Sequence, residues 1–189
     1  MICFRITAFI AGIFLVSILS SPLLADPVLS IAPSTSTVSV GGTVTFDVNI
    51  SDITNLSAYQ FDINFDPAVA SAISTMEGSF LVSGGGFVPN LIDNVGGTVS
   101  VADTLIGPLS VSGTGTLAII TMSGFAAGTT TLDFANVIFL DPNFNLINPT
   151  LVGGSLTVSS TSVPEPSSFL LLLVGISTLL LWAVKKQVI

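Results

Sequence analysis

The sequence predicts an all-β fold: a two-sheet sandwich set between two apolar ends. Three observations carry this. Apolar residues alternate with polar ones at period two along the middle of the chain. Turn signals built on Gly, Asp and Pro separate short strand candidates at regular intervals. No segment of the middle shows the three-and-four spacing of an amphipathic helix.

The clearest strand is "TVTFDVNI". It sets Val44, Phe46, Val48 and Ile50 on one face, with Thr45, Asp47 and Asn49 on the other. "AYQFDINF" does the same with Tyr59, Phe61, Ile63 and Phe65 against Gln60, Asp62 and Asn64. Further candidates are Val38–Val40, Gly97–Asp103, Gly115–Ser123, Thr129–Phe134 and Ser155–Ser159, with Ala135–Leu140 expected as a strand buried on both sides. Pro67–Met76 is the nearest approach to a helix. Its Ser and β-branched content predicts at most a turn or one short helix. The sandwich spans residues 28–158, enough chain to bury a core between two sheets.

Charge excludes several functions. The only basic residues are Arg5, Lys185 and Lys186, whereas all 11 acidic residues lie between Asp26 and Glu165. A middle without Lys or Arg cannot neutralise phosphates, so it is not built for nucleic acid or anionic lipid. Nor can it form ion pairs, which leaves apolar burial and backbone hydrogen bonds to hold it. The chain has no histidine and one cysteine, Cys3. That removes the usual transition-metal sites and Ser-His or Cys-His catalysis.

The ends read as targeting segments. Arg5, the apolar run Ile6–Leu19 and the small residue Ala25 form a secretory signal peptide over 1–25, with cleavage expected between Ala25 and Asp26. At the other end, residues 159–166 form a polar linker ending in Val163-Pro164-Glu165-Pro166. Two prolines stiffen it and stop a helix from growing upstream. Residues 167–189 form an apolar tail whose Phe169–Val184 run is short against the roughly 20 residues of a bilayer span. Trp182 belongs at an interface, and Lys185 and Lys186 stop transfer and stay cytoplasmic. The domain is therefore expected outside the inner membrane, held by one transmembrane helix.

The order Val163-Pro164-Glu165-Pro166, apolar helix, Lys185-Lys186 resembles the PEP-CTERM sorting signal of exopolysaccharide-producing Gram-negative bacteria. The resemblance implies processing near the motif by an exosortase, an integral-membrane cysteine-type transpeptidase or protease. The basic end differs from the family's more usual arginine-rich one. The middle resembles a second family. "GGTVTFDVNISDITNLSAYQFDINFDPAVA" is similar to the start of a cohesin domain, and "GTGTLAIITMSGFAAGTTTLDFANVIFLDPN" to its later half. This implies a jelly-roll sandwich of about nine strands, of the kind that binds calcium-loaded dockerins in cellulosomes.

Two carboxylate pairings are worth placing. One antiparallel register of the two clearest strands sets Asp47 opposite Asp62 and Asn49 opposite Gln60. Facing like charges destabilise a sheet unless bridged, and Ca²⁺ would suit these oxygens, against the simpler reading of a solvated strand face. "DPNFNLIN" alternates Asp141, Asn143 and Asn145, but it lacks the Gly and Glu of a calcium loop and reads as a β-turn. Apart from that calcium no cofactor is expected. The function expected is a non-enzymatic exported surface or matrix protein whose sandwich contacts an exopolysaccharide or a surface protein. The alternatives are a permanently anchored binding module and, further off, a carbohydrate-active enzyme using carboxylates such as Glu77 and Asp93.

Overall fold

The computed structural model describes residues 25–81, 86–107, 109–160 and 172–177. The strands are β1 (Val28–Ala32), β2 (Thr35–Ser39), β3 (Thr43–Leu56), β4 (Ala58–Asn64), β5 (Ala70–Glu77) and β6 (Val88–Asp93). They continue with β7 (Thr98–Thr104), β8 (Val111–Gly124), β9 (Gly128–Leu140), β10 (Leu146–Ile147), β11 (Thr150–Val152) and β12 (Gly154–Ser159). One sheet has the order β11-β1-β3-β8-β5. The other runs β2-β12-β9-β4-β7-β6, with β10 added to the end of β9. Pairing is antiparallel except where β11 lies along β1 and β12 along β2.

Alternation fixes which side chains enter the core. Phe46, Val48 and Ile50 of β3 face Tyr59, Phe61 and Ile63 of β4 from opposite sheets, and all are buried. Aromatic rings form the centre. Phe61 lies 5.7 Å from Tyr59, stacked, and 5.7 Å from Phe134, edge-on. Tyr59 is 5.8 Å from Phe139. Such pairs add to what their buried area contributes. The phenol of Tyr59 also crosses the sandwich, donating 2.7 Å to the Leu117 carbonyl of β8. Among the described residues, every buried apolar residue lies within Leu29–Val158.

Several expectations change here. Among the described residues there are twelve strands where about nine are expected. β1 and β2 are one edge segment that switches sheets at Pro33-Ser34, and β10 and β11 are additions of two and three residues. Pro67–Val69 forms a turn, but β5 follows it instead of a helix. The alternation there is disguised by a bulge between Ala72 and Ser74. Ala135–Leu140 is not a separate strand buried on both sides. It continues β9 through a bulge, and Ile138 is exposed. The signal peptide up to residue 24, the Val163-Pro164-Glu165-Pro166 motif, Trp182, Lys185 and Lys186 lie outside the described residues. Within the tail, 172–177 is helical, and among the described residues no helix is long and apolar enough to cross a membrane.

Candidate binding faces

The pairing of Asp47 with Asp62 does not exist. Asp47 is in the five-stranded sheet, with Ala32 and Ile119 beside it; Asp62 is in the other sheet, between Ser100 and Ala135. Likewise Gln60 does not face Asn49, which accepts a 2.8 Å hydrogen bond from Thr116 Oγ1. The cause is the link between the strands. β3 runs on to Leu56, and Ser57 alone joins it to β4. One residue is too short for a hairpin, so the chain crosses to the opposite sheet. The like-charge contact that would have called for a bridging cation is therefore absent.

Glu77 and Asp93 are separated as well. Asp93 pairs with Thr98 at the start of β7, where its carboxylate accepts from Val95 N and Gly96 N at 2.9 Å. These bonds, Gly96 first, hold it below the usual carboxylate range. Glu77 ends β5 near Asp103, at the far end of β7. Five residue steps along β7, or about 17 Å, separate Thr98 from Asp103, beyond the separation of paired glycosidase carboxylates. Asp141 binds its own loop, its carboxylate accepting from Asn143 N, Asn145 N and Asn145 Nδ2 at 2.8, 2.8 and 2.9 Å. Those bonds, led by the Asn145 side chain, also lower its pKa. Among the described residues no three acidic, His or Cys side chains form a metal cluster.

Two features escape a reading of the sequence. The first is Asp103. It is only 4% exposed, it points between the sheets, and its Oδ2 has no hydrogen-bond partner. Burial pushes its pKa up to about 6, with Glu77 adding to the rise and the Thr104 N–H opposing it. Burial, then Asp103 and Glu77, also push the Tyr59 phenol well above its ordinary value. The alternation of "TVSVADT" puts Asp103 on the inward face with Val99 and Val101, so its position was readable though its lack of a partner was not.

The second is the outer face of β9-β4-β7-β6. Register places Gln60, Asp62 and Asn64 of β4 beside Thr98, Ser100 and Ala102 of β7. The bulge in β9 puts Asn136 at φ 49°, and its Nδ2 donates 2.6 Å to Asp62 Oδ2. A non-glycine residue in this left-handed region is held there by its surroundings. Ile138 and Leu91 are exposed, and a shallow hollow of about 390 Å³ lies over Leu91, Ile92, Asp93, Thr98 and Ser100. The signal in the sequence was a lone Asn inside the apolar run after Phe134.

These features define a two-sheet sandwich whose accessible chemistry is that of a binding face: amides, hydroxyls, small side chains and isolated aliphatics. The family model for the cohesin domain matches residues 29–158, and the chain belongs to the cohesin family. Solved structures with the same fold include the cohesin CaCohA2 of Clostridium acetobutylicum, 23% identical over 74% of this chain and 94% of that one, TM-score 0.62. The sixth cohesin of Acetivibrio cellulolyticus scaffoldin B, solved in complex with a Cel5 dockerin, is 19% identical over 71% and 100%, TM-score 0.62. A non-cellulosomal cohesin from the hyperthermophilic archaeon Archaeoglobus fulgidus is 13% identical over 73% and 94%, TM-score 0.60. No curated protein gives a significant match. Such solved chains consist of little beyond the sandwich, and among the described residues the buried apolar core of this chain lies within Leu29–Val158.

Proposed function

We propose that this chain is an exported, non-enzymatic interaction module, delivered to the cell surface or extracellular matrix by its C-terminal tail, which binds a protein partner through the outer face of β9-β4-β7-β6. Membership of the cohesin family supports the interaction role. The observation that carries the choice of face is the Asn136 bulge. It clamps the one carboxylate in the middle of that face and leaves Ile138 standing free beside it. With Asp62 held by Asn136, the amides, hydroxyls and aliphatic anchor around it can be desolvated by another protein surface. The cohesin of scaffoldin B was solved with a dockerin. A dockerin is one partner class for this face, and a surface protein of the exopolysaccharide layer is another.

Delivery rests on the two ends. A signal peptide cut between Ala25 and Asp26 exports the sandwich. The apolar tail then holds it in the membrane until an exosortase cuts near Val163-Pro164-Glu165-Pro166. Intact-mass measurement of the exported product should show a chain starting at Asp26 and ending near Pro166. Glu165→Ala should accumulate uncut protein. A mature product retaining Lys185 and Lys186 would instead make the tail a permanent anchor, with the sandwich still presented outside.

A further inference from the structure

β4 starts, and β7 and β9 finish, at the end of the sandwich opposite Ser159, where the chain leaves for its tail. Ser57, Ala58, Thr104, Leu105, Leu140 and Phe144 line a groove there of about 380 Å³. That volume falls within the range of ligand-binding clefts. Its backbone is already satisfied: Ser57 N donates to Leu140 O at 2.8 Å, and Leu105 N to Ser57 O at 2.9 Å. What the groove offers a visitor is apolar wall and hydroxyl, with Asp141 beside them.

Phe144 forms the rim. It is 81% exposed and sits at φ 62°, a conformation costly for a bulky side chain. The Asp141 loop imposes it. Phe144 N donates 2.9 Å to Asp141 O, Asp141 N donates 3.0 Å to Asn145 O, and the Asp141 carboxylate gathers Asn143 and Asn145. A rigid loop thus spends backbone strain to hold an aromatic ring in water beside a cleft. Ile106, Leu109 and Leu146, also exposed, belong to the loop and strand that follow β7 and β9 at this end. An anchor fixed in advance loses little entropy on binding.

Charge selects the occupant. Asp141 lines the groove and Asp52 and Glu77 lie towards this end, while among the described residues there is no Lys or Arg. A second copy of this chain, an acidic polysaccharide or a nucleic acid would meet repulsion. We infer that this groove, apart from the sheet face proposed above, docks a protein segment that presents an aliphatic or aromatic side chain flanked by Lys or Arg.

The test uses the full chain in detergent micelles and a synthetic peptide with a central Leu-Phe pair between lysines. Controls are a glutamate-flanked peptide, a serine-centred peptide and cellohexaose. NMR should show the lysine-flanked peptide shifting residues 105–107 and 141–146, with the peptide controls inactive. Phe144→Gly keeps the left-handed backbone and removes the ring. It should weaken binding at least about tenfold without lowering the melting temperature. Equal affinity for Phe144→Gly, shifts confined to the sheet face, or no binding by the lysine-flanked peptide would each overturn the inference. Cellohexaose shifting these residues where the peptide does not would replace the occupant with a neutral glycan.

Discussion

Asp103 is where this domain's chemistry departs most from that of a plain sandwich. A carboxylate 4% exposed, with Oδ2 unpartnered and Glu77 nearby, prefers to keep its proton, and burial is the largest cause. The folded-state pKa of about 6 lies above the ordinary 3.8, so between those values the native state binds a proton that the unfolded state has lost. Stability therefore falls as pH rises through that window and levels off above it. Asp93 and Asp141 act in the opposite sense. Their lowered pKa values mean that stability declines once pH drops below the usual carboxylate range. Thermal unfolding followed from pH 3 to pH 8 should thus peak on the mildly acidic side. Asp103→Asn should melt higher than the parent at pH 7.5 and lose the decline between pH 4 and pH 6. A melting curve that rises steadily to pH 8 would contradict this reading of Asp103.

At the scale of elements, the strands with clean alternation were legible. "TVTFDVNI" and "AYQFDINF" became β3 and β4 with the expected faces inward. What alternation could not say was which strand lies beside which. Their pattern allows the two to pair, yet a one-residue link at Ser57 sends them to different sheets and removes the Asp47–Asp62 contact. Bulges hid the rest. An extra residue near Ser74 breaks the period of β5, and one near Asn136 breaks that of β9. The candidate face was illegible for the same reason, since its clamp depends on a bulge in one strand meeting a carboxylate in another. Gly78, just past β5, is a place where an element tolerates no side chain. A Cβ there would lie 2.1 Å from the Thr116 carbonyl oxygen, where the Gly78 and Phe80 amides bond back to β8. Gly78→Ala should cost about 1–3 kcal/mol, measured by chemical denaturation. An unchanged midpoint would mean that this connection is looser than its hydrogen bonds indicate.

For the whole molecule, the sequence separates destination from action. In the function proposed above, the two ends set where the chain goes, while the acidic middle, without Lys or Arg, restricts what it can meet. The sandwich presents two sheet faces, and the Asn136 clamp is the observation that favours the seven-stranded one. Ile138 on that face and Ile73 on β5 of the other sheet are both exposed, which makes them a matched pair of probes. The most direct measurement replaces each in turn with the photoreactive residue benzoylphenylalanine in the full-length chain and irradiates cells of the native host. A discrete protein adduct from position 138 and none from position 73 is the predicted result. Adducts from position 73 alone, or none from either, would contradict the assignment of a protein-binding function to the outer face of β9-β4-β7-β6.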